Sequence, residues 1–262
     1  MRRSIAMYGK GGIGKSTVSS NIAAVYGGEG LETLLVGCDP KSDTAINITG
    51  RRIRPLLDLM KASKVPDEQS FLQRGFNGVA CIEIGGPEPG IGCAGRGLII
   101  GINHLIERGI IGHYDVVIFD VPADIVCGGL AVVVKEGYAN DTYIITSDDF
   151  MSLYAANNLC RGFKKLNVRA SGIVYNRAKP EMRKHVEVLS RAIHIPIIGE
   201  APDSDLIQRC SSMNKTVLEC QPASAEAETF RAIATRILSN EHSAVPDFIT
   251  EDALEVMRHE GS

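Results

Sequence analysis

Apolar residues along this chain gather into short unbroken runs instead of alternating with polar ones. Such runs fall within residues 4–8, 31–39, 78–84, 114–120, 141–147, 171–177 and 195–202, each bounded by Gly, Pro, Asp or Asn. Runs of that length, rich in Val, Ile and Leu, read as strands buried on both faces, the habit of a parallel sheet. Between them lie stretches of helical pattern, at 17–25, 98–106, from Ser152 through Asn158, and at 225–238. Strand and helix in alternation predict a doubly wound, mostly parallel α/β sheet with helices on both faces. Residues 51–75 mix charged and apolar positions, as in Arg54-Pro55-Leu56-Leu57-Asp58-Leu59-Met60, and are expected to form short surface helices. One domain over 1–262 is expected, with 240–262 an acidic tail lying on its own surface or on a partner subunit.

The strand ends carry the chemistry. Behind the first run stands Gly9-Lys10-Gly11-Gly12-Ile13-Gly14-Lys15-Ser16, followed by Thr17 and a helical stretch. This fits G-x-x-x-x-G-K-S/T, the phosphate-binding loop of an ATPase, with the strand before it and the helix after it that the motif requires. Backbone N–H groups and the positive end of the helix would cradle phosphates, Lys15 would reach the β/γ oxygens and Ser16 a Mg²⁺ ion. The second run ends in Cys38-Asp39-Pro40-Lys41-Ser42-Asp43, which sets Asp39, Lys41 and Asp43 in a loop at the carboxyl edge of the sheet, where ligands of open α/β folds bind. A later run ends in Asp120, the usual form of a Walker B strand whose acid holds Mg²⁺ through water. Asn176 ends another strand and Pro202 the last one, with Asp203 and Gln208 following, placed to border a nucleotide base.

Charge narrows the partners. Lys and Arg number 28 against 31 Asp and Glu, a net charge of −3, which gives no nucleic-acid footprint. No apolar run reaches the roughly 18 residues of a membrane span, and Met1-Arg2-Arg3 leads directly into a core strand, so a cytoplasmic protein is expected. An odd count of 7 cysteines argues against a disulfide framework. Cys81, Cys160, Cys210 and Cys220 have no ligand-like setting and read as structural.

Two cysteines differ from the rest. Cys93 lies in Gly85-Gly86-Pro87-Glu88-Pro89-Gly90-Ile91-Gly92-Cys93-Ala94-Gly95-Arg96-Gly97, whose 6 glycines and 2 prolines are expected to be irregular up to a helix at Leu98. Cys127 lies in Asp120-Val121-Pro122-Ala123-Asp124-Ile125-Val126-Cys127-Gly128-Gly129, close behind the candidate Mg²⁺ acid. Either alone reads as a buried thiol. As a pair in matching glycine settings they suggest half of an iron–sulfur site, completed by the same two residues of a second copy on a twofold axis.

The segments Gly9 to Ser16, Gly37 to Asp43, Gly85 to Gly97, Asp120 to Gly129 and Leu153 to Asn158 together resemble the nitrogenase iron protein family and its relatives, the ATP-dependent reductase components of nitrogenase-like enzymes. The resemblance implies a homodimer with one bridging 4Fe–4S cluster and one MgATP per subunit, receiving electrons from a ferredoxin or flavodoxin and passing them to a separate catalytic component. Cys93 and Cys127 then match the cluster ligands, Lys10 the lysine that crosses to the partner's nucleotide, Asp39 and Asp43 the switch I acids, and Asp124 the acid that positions the attacking water. Asn176 matches an adenine contact and Arg96 a docking-surface arginine. Ala123 stands where the family carries a glycine, Pro202-Asp203-Ser204-Asp205 lacks an adenine-side arginine, and the C-terminal extension is short. The segments Gly50-Arg51-Arg52-Ile53 and Gly75-Phe76-Asn77-Gly78-Val79 are more similar to the enzyme that reduces a nickel tetrapyrrole on the way to coenzyme F430, while dinitrogen reduction and reductive carbon–sulfur cleavage stay open. A metal-free partitioning ATPase with the same type of loop, or a scaffold that hands on a cluster, are the competing classes.

Overall fold

A computed structural model describes residues 3–63, 65–86, 94–122 and 132–250 of the chain. Its centre is an 8-stranded sheet in the order β3-β4-β2-β5-β1-β6-β7-β8. The strands are β1 (Arg3–Gly9), β2 (Thr33–Gly37), β3 (Gln73–Arg74), β4 (Ala80–Glu83), β5 (Val116–Pro122), β6 (Asp141–Thr146), β7 (Gly172–Ala178) and β8 (Ile197–Pro202). All pair in parallel except the short edge strand β3, which runs antiparallel to β4. The helices are α1 (Lys15–Gly28), α2 (Ile46–Thr49), α3 (Leu56–Ala62), α4 (Ala94–Glu107), α5 (Val132–Lys135), α6 (Phe150–Leu166), α7 (Arg183–Ile193), α8 (Asp205–Ser212), α9 (Val217–Cys220) and α10 (Ala225–Ser239).

Each strand sends alternate residues to opposite faces, and both faces are covered, which is why the strands are apolar throughout. On one face Val18, Ile22 and Tyr26 of α1 and Phe230, Ile233 and Ile237 of α10 pack on Ile5, Met7, Leu35 and Ile118. On the other, Leu98, Ile102 and Leu105 of α4 and Leu153, Leu159 and Phe163 of α6 pack on Tyr8, Leu34, Val36 and Phe119. Residues 240–250 are tied to the sheet and to α6: Ala244 bridges Ala170, and the Asn157 side chain donates to Ile249 O at 2.8 Å while accepting from Ile249 N at 2.7 Å.

Two segments differ from their sequence-based expectation. Residues 51–75 do contain the short helix α3, but Leu56 and Phe71 are fully buried and Gln73–Arg74 joins the sheet edge. Single apolar anchors among charged neighbours fix that segment, and no helical periodicity reveals them. The region expected to stay irregular as far as Gly97 is already helical at Ala94, so Arg96 sits exposed in the first turn of α4. Glycine costs about 1 kcal/mol in a helix interior, and the apolar stripe of α4 on the sheet outweighs that at its start.

Candidate functional site

The strand order places Gly9, the last residue of β1, between Pro122 of β5 and Ile145 of β6, at the carboxyl edge of the sheet centre. The chain then turns back over that edge through Gly12 (φ 80°) and Gly14 (φ 89°), both in the left-handed region where a side chain is strained. Lys15 opens α1, so the free N–H groups of the first turn face the loop. The open space there, about 250 Å³, is lined by Gly9, Lys10, Gly11, Gly12, Gly14, Lys15, Ser16, Thr17, Asp39, Lys41, Asp43 and Pro122. Ile13 of the same loop turns inward and is buried in the core beneath α1.

Behind Lys15 and Ser16, which line this space, lies Asp120, fully buried. Its carboxylate accepts from Lys15 Nζ at 2.6 Å, Ser16 Oγ at 2.6 Å, Ser19 Oγ at 3.2 Å and Thr44 Oγ1 at 2.7 Å. One acid therefore joins the phosphate-binding loop, the first helix and the loop after β2. A hydroxyl and a carboxylate meeting at 2.6 Å are hard oxygen donors of the kind Mg²⁺ takes, and Lys15 beside them is the counter-charge a phosphate would take over. The residues present fit MgATP. Asp39 accepts from Lys41 N at 2.9 Å, an Asx turn that holds the loop over the cavity.

Lys10 flanks the cavity on the β6 side, near Asp149, the N-cap of α6. Burial raises the Asp149 pKa, but hydrogen bonds from Ser147 and Ser152 and the charge of Lys10 hold it below the usual carboxylate range. Asn176 is 7% exposed and its Nδ2 donates to Ile13 O at 2.7 Å, so it braces the loop from beneath. It also lines, with Gly14, Thr17, Pro202, Asp203 and Gln208, a second space of about 360 Å³ that adjoins the first at Gly14 and Thr17. Gln208 Nε2 donates to Asp203 Oδ1 at 3.4 Å across its rim.

Sequence reasoning missed Thr44, Ser19 and Arg177. A hydroxyl in a loop or on a helix carries no pattern of its own. Arg177 does follow Asn176 at a strand end, which is a signal. It takes a left-handed backbone (φ 53°), donates to Gly12 O at 3.1 Å, and supplies a cation on the side where Pro202-Asp203 has none.

Cys93, Asp124 and Cys127 lie outside the described residues, as does Ala123. Their segments leave from the carboxyl ends of β4 and β5, two strands separated only by β2, where Gly37 pairs with Glu83 on one side and Asp120 on the other. Two strand spacings are about 10 Å, so the carboxyl ends of β4 and β5 lie on one short stretch of the sheet edge. Among the described residues no group of three His, Cys, Asp or Glu side chains is arranged to hold a metal. Cys38, Cys81, Cys160 and Cys210 are buried, and burial pushes each thiol above its ordinary pKa, to about 12 for Cys160. That suits packed structural thiols rather than thiolate ligands.

Comparison with known proteins bears on both halves of the site. Residues 3–261 match the family model described as 4Fe-4S iron sulfur cluster binding proteins, NifH/frxC family. The chain is 44% identical over 255 residues to nitrogenase iron protein 2 of Methanothermobacter thermautotrophicus, covering 96% of this chain and 95% of that one. It is 38% identical over 263 residues to the nitrogenase iron protein of Methanococcus voltae, covering 97% and 94%. Among solved structures, a ParA family ATPase from Chlorobium tepidum superposes with TM-score 0.71 at 24% identity over 90% of this chain and 99% of that one. A chain of the MinC:MinD cell division protein complex of Aquifex aeolicus superposes with TM-score 0.72 at 19% identity, over 92% of this chain and 97% of that one. At that identity the structures share the fold. No helix among the described residues is long and apolar enough to cross a membrane.

Proposed function

Because the chain belongs to the nitrogenase iron protein (NifH/frxC) family, with a 4Fe–4S cluster and MgATP as its cofactors, we propose that it is the reductase component of a nitrogenase-like system. It works as a homodimer in the cytoplasm, takes low-potential electrons from a ferredoxin or flavodoxin, and delivers them to a separate catalytic component as ATP is hydrolysed. No nucleic acid or membrane takes part. The bound cluster supplies one-electron chemistry, and Cys93 and Cys127 of each chain hold it.

The observation that carries this reading is the Asp120 carboxylate, shared by Lys15, Ser16 and Thr44 at the start of the segment that leads to Cys127. In turnover Lys15 binds the β/γ-phosphate oxygens, Ser16 and Asp120 hold Mg²⁺, and Lys10 reaches the partner's nucleotide. Asp39 and Asp43 report the phosphate from the other side, and Asp124 orients the attacking water. Asn176, Pro202, Asp203 and Gln208 border the adenine. Any change at the γ-phosphate redistributes the donors on Asp120 and so acts on two loops at once. Arg96, exposed on the first turn of α4, belongs to the surface that meets the catalytic component.

For the final substrate, the segments Gly50–Ile53 and Gly75–Val79 favour a nickel tetrapyrrole over dinitrogen or an organosulfur compound. A partitioning ATPase, the second class, shares this fold but carries no iron–sulfur cluster. Anaerobic purification with reconstitution separates the classes: one 4Fe–4S cluster per two chains is expected, and an iron-free protein that still hydrolyses ATP would remove the redox reading. Turnover with the co-purified partner tests the substrate.

A further inference from the structure

Beside the Asp120 node stands a second buried acid that none of the roles above uses. Glu83 ends β4, is 1% exposed, and points to the same face of the sheet as Asp120. Between the two lies Gly37, which pairs with both in register. A Cβ built on Gly37 would fall 1.8 Å from Glu83 Oε2, so the carboxyl lies across the space that the missing side chain leaves open. Its Oε1 accepts from the backbone N–H of Ala45 at 2.6 Å. Ala45 follows Thr44, whose hydroxyl reaches Asp120, in the loop that begins with Asp39. Glu83 Oε2 has no hydrogen-bond partner among the described residues.

A buried carboxyl with half of its bonding capacity idle is destabilising unless something else needs it there. An apolar residue at position 83 would fill the same core without that cost. We propose that Glu83 is a positioning residue for nucleotide turnover: lying over Gly37, it clamps Ala45 so that Thr44 meets Asp120 and the Asp39–Asp43 loop is held over the phosphate-binding loop. Glu83 acts through Ala45 and Thr44 and touches neither phosphate nor metal. Burial, with Asp120, Asp43 and Asp39 nearby, pushes its pKa up to about 8 against the pull of the Ala45 bond, so at neutral pH it holds the loop without adding a full charge to three other acids.

The inference rests on the MgATP reading of the site, and MgATP affinity of the cluster-loaded homodimer tests it without calling on the catalytic partner. Wild-type protein that fails to bind MgATP would refute the functional reading itself. Given wild-type binding, Glu83→Ala is expected to weaken the Kd for MgATP about tenfold, the scale of losing one buried hydrogen bond. Glu83→Gln keeps the acceptor for Ala45 and is expected to stay within about threefold of wild type. Glu83→Asp, too short to reach Ala45, should behave as Glu83→Ala does and serves if the alanine variant does not fold. Thr44→Val should show its own loss, and the pair Glu83→Ala with Thr44→Val should lose little more than the worse single variant, because both act on one contact. A purely structural carboxyl would lower the melting temperature and leave the Kd alone. Unchanged affinity in both Glu83→Ala and Glu83→Asp, or losses that multiply in the double variant, would overturn the proposal.

Discussion

Asp120→Asn keeps the shape of the residue at the centre of the nucleotide site and removes its charge. In the folded chain Lys15 Nζ lies 2.6 Å from that carboxylate, with side-chain exposures of 6% and 0% for the lysine and the acid. The variant leaves the ammonium buried with no counter-charge, and it offers an amide where four donors converged. Breaking a buried pair by removing one member costs about 3–5 kcal/mol, and the lower end applies here because Lys15 borders an open cavity into which it can turn. A loss of about 3 kcal/mol is a large share of a typical folding stability. Chemical denaturation of the nucleotide-free homodimer, at one fixed protein concentration and without oxygen, reads it as a shifted midpoint. Wild type should then gain about 2.7 kcal/mol from MgATP at a hundred times its Kd, and the variant should gain almost nothing at the same concentration because the proposed Mg²⁺ ligand is gone. Replacing both members, as Lys15→Met with Asp120→Asn, should recover part of the loss, since no buried charge is then left alone. A single variant within about 0.5 kcal/mol of wild type, the ordinary range of surface substitutions, or one that MgATP stabilises fully, would refute this reasoning.

Further outcomes are open to measurement. Gly14→Ala should abolish ATP binding in equilibrium titrations while circular dichroism stays native, because φ is 89° there and the new Cβ would lie 2.6 Å from Asn176 Nδ2; retained affinity would show that the loop tolerates reshaping. Glu83, raised from 4.5 to about 8, binds its proton more tightly folded than unfolded. Its contribution to stability is therefore present in full below about pH 4.5 and is lost as pH rises toward about 8. The stability of wild type minus that of Glu83→Gln, measured by denaturation at several pH values, should fall across that window. Asp39, Asp43, Asp120, Cys38 and Cys81 lie close enough to Glu83 to interact electrostatically with it, and a flat difference would refute the shift.

How much of this could be read before folding depended on whether chemistry left a spacing in the chain. The phosphate-binding loop did, since glycines, lysine and hydroxyl must occur in order between a strand and a helix. Asp120 was visible as an acid closing an apolar run, and the alternation of runs with helical stretches foretold a parallel sheet covered on both sides. Phe71 was not visible, because a lone anchor has no period. Thr44 and Glu83 were hidden for a different reason: their partners, Asp120 and Ala45, are brought to them only by strand pairing, with Gly37 in register with both acids. Arg96 was legible as a residue but not in its setting, since the glycines around it gave no sign that α4 begins at Ala94.

The central claim is that ATP hydrolysis at the Asp120 site governs electron release from a cluster held by Cys93 and Cys127. Its most direct measurement follows the reduced cluster's absorbance without oxygen, in the presence of the catalytic partner, with and without MgATP. Oxidation of the cluster only when MgATP and partner are both present is predicted, together with a Cys127→Ser protein that binds MgATP normally but holds no iron. Oxidation at the same rate without nucleotide, or an iron-bearing Cys127→Ser protein, would contradict it.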